Sequence, residues 1–440
     1  MKKLYAILLL IAAFTLQGTA QNFKPIDFTE YTLENGLRVV LHVDKSAPVV
    51  ATYILYKVGS VNEKSDRTGF AHFFEHLMFE GSDNIERGTI DKLITAAGGE
   101  LNASTSFDQT NYFFHVPSNQ LQLALWIESE RMLHLRIDSL GVETQRKVVK
   151  EERKQSYENR PYGSLVENLF KITFPSSQYE WTPIGSAQYI DQAKITEFRK
   201  FHNTYYVPNN ACLVVAGNID VNQTKKWIAD YFGTIPKGAN PEQPVINIAP
   251  QSAERSQVVK EDKTPLPALI ISYPSVGRHE VDAYALDFLG KILSGGRSSR
   301  LYKRLVDKDQ LAVQASGFPF QLDKAGMFAF FAIANQGVEI AKMQTAIDEE
   351  LARIQKEGVT EEEFQKVRNQ SESQFVSSFG SVLGKAGKLA EFNLFWNDTK
   401  LVNTELEKYM AVKREDIKRV ANTYLIPAHR NILQYVVASK

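Results

Sequence analysis

The stretch Gly69-Phe70-Ala71-His72-Phe73-Phe74-Glu75-His76-Leu77-Met78 decides how this chain is read. It carries the pattern H-x-x-E-H inside an apolar run. On an α-helix, His72 and His76 are four residues apart and share a face. Glu75 is three residues from His72 and sits beside that face. Two imidazoles so placed can take two positions on a zinc ion, and a carboxylate between them can hold and deprotonate water. The order inverts the commoner H-E-x-x-H zinc helix. The competing explanation is a half-buried helix that happens to carry two histidines, in a chain with only 8 His.

Two histidines do not complete such a site, because catalytic zinc usually takes three protein ligands and one open position. Val148-Val149-Lys150-Glu151-Glu152-Arg153 reads as helix with two adjacent carboxylates. They point about 100° apart, so only one can face a metal. From the residues alone, an ordinary exposed charged face explains the pair equally well.

The chain opens with Lys2 and Lys3, an apolar run over 4–16 too short to span a bilayer, and the small residues Gly18-Thr19-Ala20. This predicts a bacterial-type signal peptide over 1–20 and a periplasmic or secreted protein, with no membrane association after its removal. The single cysteine, Cys212, can form no internal disulfide and lies in the apolar run 211–216, where it reads as a buried small hydrophobe. About 420 residues remain, enough for two or more domains. The 51 basic and 51 acidic residues cancel, and no basic block points to nucleic acid.

Residues 31–43 read as a β-hairpin turning at Asn35-Gly36, and 49–58 as a third strand. After the histidine helix come a short helix at 89–97, strands at 100–105 and 110–116, and helices at 121–135, 143–158 and 195–201. A buried strand at 211–216 and a helix at 221–231 follow. Residues 235–250, with Pro236, Pro241, Pro244 and Pro250, read as a linker. The order of elements then returns. A strand at 269–273 stands for 52–56, and a helix at 281–293, without histidine, stands for the H-x-x-E-H helix. A short helix at 301–305, strands at 312–318 and 327–334, and a long helix at 337–354 complete the repeat. The expected class is α+β: two similar α/β halves, each a mostly antiparallel sheet packed with helices, over 21–235 and 263–440, with a Pro-rich linker region at 236–262.

At this point the chain resembles the pitrilysin and insulinase metallopeptidases, the inverzincins, together with the mitochondrial processing peptidase subunits. The resemblance covers nearly all of the chain beyond residue 20. It rests on Gly69 to Gly81, Gly98-Gly99-Glu100-Leu101-Asn102-Ala103, Val148 to Glu152, and Gly295-Gly296-Arg297-Ser298-Ser299-Arg300-Leu301-Tyr302. In that family the last ligand is a Glu about 76 residues beyond the second His. Glu152 lies 76 positions beyond His76. The resemblance implies zinc at His72, His76 and Glu152, with Glu75 as general base. It also implies two halves that enclose the substrate in a chamber, where the peptide backbone adds to a sheet edge. Leu101-Asn102-Ala103-Ser104-Thr105 matches that edge; an ordinary strand is the alternative.

Two departures stand out. Family members often carry a Glu seven positions before the last ligand, where this chain has Gln145. Active members carry an Arg and a Tyr in the second half within R-L-R-x-x-K-x-L-A-Y. Here the stretch is Arg304-Leu305-Val306-Asp307-Lys308-Asp309-Gln310-Leu311-Ala312-Val313, so Val306 and Val313 replace them. A valine cannot donate a hydrogen bond to a developing oxyanion. The resemblance thus implies a zinc endopeptidase acting on extended peptides. Its Arg and Tyr would come from a homologous partner subunit lacking the zinc motif, in a heterodimer rather than a homodimer. A reading from another class is a non-catalytic structural or peptide-binding subunit of a larger assembly; the intact His72, Glu75, His76 and Glu152 set argues against it.

Overall fold

The β-branched runs at 38–43, 49–56 and 211–217 can be buried on both faces, so they suit the middle of a covered sheet. In the computed structural model, which describes residues 24–438, they occupy that place. The first sheet holds β1 (Thr29–Thr32), β2 (Arg38–Val43), β3 (Val49–Tyr56), β4 (Glu100–Thr105), β5 (Thr110–Pro117) and β6 (Ala211–Gly217) in the order β1-β2-β6-β3-β5-β4. All neighbours are antiparallel except β2 and β6. The expected hairpin forms β1 and β2, with Gly36 supplying φ +90° at the turn. The signal peptide expected over 1–20 lies outside the described residues.

The second sheet holds β7 (Arg255–Glu261), β8 (Ala268–Ser275), β9 (Ala312–Gln321), β10 (Gly326–Ala334) and β11 (Asn431–Val437) in the order β7-β11-β8-β10-β9. Its one parallel pair is β7 and β11. Strand for strand this repeats β2-β6-β3-β5-β4, parallel pair included. The repeat extends to a close approach of backbones. A Cβ on Gly59 would lie 2.3 Å from the Phe107 carbonyl oxygen, and one on Gly277 would lie 2.7 Å from that of Asp323. The next residue donates its N–H in both halves: Ser60 to Ser106 O at 3.2 Å and Arg278 to Leu322 O at 2.9 Å. Both β-hairpin turns are therefore held from the same side.

Strand β7 falls inside the 236–262 region expected to be linker. It forms because β11, near the end of the chain, offers it an edge to pair with. Residues 236–252 hold neither helix nor strand.

Helices cover the sheets, and the halves exchange them. Helix Val382–Phe395 belongs to the second half, yet it packs on the first sheet: Ala386, Leu389 and Ala390 cluster with Val40, Ala51, Leu55, Cys212, Val214 and Ala216. Helix Leu165–Thr173 belongs to the first half, yet Leu169 and Phe170 cluster with Ala268, Ile270 and Leu433 of the second sheet. Each fully buried Leu or Phe in such a seam contributes about 1.5–3 kcal/mol. Cys212 is buried there as a free thiol, as its apolar surroundings suggested.

Candidate metal centre

The H-x-x-E-H segment forms helix Phe70–Leu77. Phe70, Phe73, Phe74 and Leu77 are buried, with Phe73 stacked on Phe198 at 4.5 Å between ring centres. Burying that face turns His72 and His76 the other way, where both are half-buried. The helix starts at Gly69 with φ +97°, a backbone position that disfavours any side chain. Its first N–H groups point at Glu63. This buried carboxylate accepts the Gly69 N–H at 2.9 Å, the Ala71 N–H at 2.8 Å and the Trp181 indole N–H at 3.1 Å. Burial pushes the Glu63 carboxyl up to about 8, against the pull of those donors.

Glu152 comes from helix Ser139–Arg153, whose first turn is capped by Asp138 accepting the Gly141 N–H at 2.8 Å. Glu152 is half-buried and faces the histidines, while Glu151 is exposed. The Glu152 Oε2 atom lies 3.2 Å from His76 Nε2 and 3.6 Å from His72 Nε2. The two imidazole centres are 4.8 Å apart. Among the described residues, this is the one group of three or more His, Cys, Asp or Glu side chains whose ligand atoms all converge within 4.8 Å.

The electrostatics suit a cation. Burial, then the neighbouring His76, holds His72 down to about 4, so its imidazole is neutral at pH 7 and keeps a lone pair. The hydrogen bond from His76 holds Glu152 below its ordinary value. Two imidazole nitrogens and one carboxylate oxygen form a donor set that catalytic zinc is known to take. A divalent ion between them would take the place of the His76 proton and accept a lone pair from each of the three atoms. His72 Nδ1 is buried without a hydrogen-bond partner, so packing orients this ring rather than an outer carboxylate.

Glu75 stands beside the trio. Burial raises its carboxyl above the ordinary range, while the neighbouring hydroxyl and backbone N–H of Thr105 oppose that rise. Thr105 ends β4, the outermost strand of the first sheet. Leu101 and Ala103 pack on the core, and Asn102 and Ser104 are exposed. The Ala103 N–H, with that of Thr105, turns away from β5 and is met by Asn102 Oδ1 at 2.9 Å. The four residues Leu101, Asn102, Ala103 and Ser104 therefore form a sheet edge that begins next to Glu75.

Gln145 lies on the Glu152 helix and donates from Nε2 to Glu80 Oε1 at 2.5 Å. Glu80 is buried and paired with Arg87 at 3.1 Å, and Arg87 reaches Asp138 at 2.7 Å. A glutamate at 145 would press a second carboxylate against Glu80; the amide donates instead. Val306 is half-buried in the helical turns Tyr302–Lys308, and Val313 on β9 is 50% exposed. Neither side chain offers a donor. Sequence reading missed Glu63, Glu80 and Thr105 as neighbours of the centre. Glu63 lies seven residues before the helix, outside any capping-box spacing, and only Thr105's place at the end of the edge strand pointed toward Glu75.

Two family models match the chain. Residues 38–184 match insulinase (peptidase family M16), and 193–371 match the peptidase M16 inactive domain. The chain is 33% identical to the zinc protease PqqE of Helicobacter pylori over 92% of its own length and 91% of that protein's. The crystal structure of a protease from Helicobacter pylori superimposes with a TM-score of 0.89 at 31% identity, covering 93% of this chain and 100% of that one. The periplasmic protease PqqL from Escherichia coli shares the fold, with a TM-score of 0.76 at 18% identity; 94% of this chain matches 48% of that one. With H-x-x-E-H and its distant Glu152 gathered at one point, and with these relatives, the chain belongs to the insulinase family of metallopeptidases, peptidase family M16.

Proposed function

We propose that this chain is the zinc-bearing subunit of an exported endopeptidase that hydrolyses extended peptides. The observation that carries the reading is the convergence of His72 Nε2, His76 Nε2 and a Glu152 carboxylate oxygen beside Glu75, at the end of a free sheet edge. Zinc, when bound, supplies Lewis-acid polarisation of the scissile carbonyl and makes water more acidic. Glu75 takes the proton of the attacking water and passes it to the leaving amine. Burial raises its carboxyl, which brings it nearer the working pH and makes both transfers easier. The Thr105 hydroxyl and N–H stand beside the Glu75 carboxylate and favour its charged form. The edge Leu101 to Ser104 holds the substrate backbone as an added strand, so the scissile bond is presented next to Glu75.

The test is metal analysis joined to kinetics. Wild type is expected to carry about one zinc per chain and His76→Ala nearly none. Glu75→Gln should keep the zinc and lose about a hundredfold or more in hydrolysis, because an amide cannot take the proton. A wild type that purifies metal-free and refuses added zinc would favour the non-catalytic subunit reading instead.

The same reading makes the chain half of a chamber. Support comes from the PqqL structure, in which this chain matches about half the length. Val306 and Val313 stand where an Arg and a Tyr would grip the substrate, so a homologous partner lacking the zinc motif supplies them. Export to the periplasm rests on residues 1–20.

A further inference from the structure

We infer that Asp108 is a positioning residue through which the second, metal-free half holds the general base in place; this rests on the proposed peptidase reading. The first observation is the turn between β4 and β5. Thr105 ends β4, the strand that packs against the helix carrying Glu75, and is followed directly by Ser106-Phe107-Asp108-Gln109. The turn is closed by the Ser106 N–H donating to Gln109 O at 2.8 Å. Thr105 leads directly into this closed turn, so what holds the turn also bears on Thr105.

The second observation is what fixes it. Asp108 is 6% exposed and accepts three hydrogen bonds. The Tyr179 hydroxyl donates to Oδ1 at 2.7 Å. The backbone N–H of Asp323 donates to Oδ2 at 3.0 Å, and the Arg278 guanidinium to the same oxygen at 3.3 Å. Two of these donors belong to the second half, and Asp323 sits in the turn between β9 and β10, the counterpart of Asp108's own turn. That counterpart is itself anchored: His279 Nε2 lies 2.6 Å from Asp323 Oδ1, and Arg278 is held by Glu391 at 3.1 Å. The two equivalent turns meet: the carboxylate of one is bonded by the backbone of the other and by Arg278, which follows β8. Charge-assisted hydrogen bonds in a dry seam are strong and directional. Among the described residues the second half holds no metal-ligand cluster, and this contact gives it a task in the chemistry of the first.

The test uses the full chain, with its partner subunit where activity requires one. Asp108→Asn keeps the shape and loses one acceptor position. It is expected to retain zinc and a KM within about twofold of wild type, and to lose about tenfold to a hundredfold in kcat, the cost of a misplaced catalytic group. Thr105→Val should lose kcat as well, and the double variant should be no worse than the worse single one, because both act on Glu75. Losses that multiply in the double variant, or an unchanged kcat in Asp108→Asn, overturn the inference. A second readout needs no turnover. Amide hydrogen exchange over 100–106 should rise about tenfold in Asp108→Asn, as expected when a hydrogen bond to a charged group is lost, with the 70–78 helix unchanged. Unchanged exchange overturns the inference by itself. If wild type hydrolyses no peptide under any condition, the peptidase reading fails, and the exchange measurement still judges Asp108. Tyr179→Phe, which removes one bond of the three, gives the same readouts at smaller size if Asp108→Asn does not fold.

Discussion

At the scale of single residues, the centre depends on groups that never touch the metal position. Glu63 is the clearest case. Its two oxygens serve N–H donors of the histidine helix and the indole of Trp181, so above about pH 8, where it is ionised, there is no room for a donor in its place. Glu63→Gln would turn an NH2 toward one of those donors. The expected cost is about 1–3 kcal/mol of stability, the penalty for leaving buried polar groups unmatched. Urea denaturation of the two proteins, each stripped of metal, measures it. Equal midpoints would show that the helix start is held by Gly69 and packing alone. The same logic explains Gln145. Read by itself it is a departure from the family pattern; beside Glu80 it is the residue that avoids a carboxylate pair.

At the scale of elements, β4 is the outermost strand of the first sheet and, on the proposed reading, the edge that takes the substrate. Sheets rarely leave an edge bare, because unpaired N–H and C=O groups invite another strand. Here the edge runs from Glu100 to Thr105 and ends at the base. In β4 the Ala103 N–H faces outward and bonds only to the side chain before it. Ala103→Pro would therefore spare the ladder to β5 and remove one donor from the free edge. The expected result is a KM raised about fivefold, from one lost backbone hydrogen bond, with zinc content and kcat close to wild type. A steady-state comparison on one extended peptide suffices; an unchanged KM would mean that substrate is gripped elsewhere.

At the scale of the whole molecule, the exchanged helices tie the halves into one cooperative body. Removing everything beyond residue 235 would bare Val40, Ala51, Leu55, Val214 and Ala216, which helix Val382–Phe395 covers. Residues 24–235 made alone are expected to aggregate, since an apolar face of this extent is not left open by soluble domains. Light scattering and circular dichroism of that fragment decide the matter, and a soluble, folded monomer would contradict it. On the proposed reading, Val306 and Val313 call for assembly beyond one chain. Each lost oxyanion donor costs about a hundredfold to a thousandfold in rate, so the isolated chain should be a poor peptidase. A co-purified homologue carrying Arg and Tyr should restore turnover. Val306→Arg combined with Val313→Tyr should raise the activity of the isolated chain if two copies can pair. Full activity of the unmodified chain alone would exclude the heterodimer.

How much was legible without coordinates follows from the range of each interaction. His72, Glu75 and His76 lie within one turn and a half of helix, so helical spacing alone brings them together. The hairpin at Asn35-Gly36, the strands of β-branched residues and the repeated order of elements are likewise local patterns, set by turn chemistry and by burial of alternating or continuous apolar runs. Glu152 was within reach only because a family spacing pointed to it; nothing local separates it from Glu151, and the packing of two helices made the choice. The pairing of β7 with β11 was invisible because it joins segments more than 170 residues apart, and nothing local in either names the other as its partner. The helix exchange and the meeting of the Asp108 and Asp323 turns are the same kind of fact. Each is a contact between groups distant in the chain, whose strength comes from excluding water, and that exclusion exists only once both halves have folded onto each other.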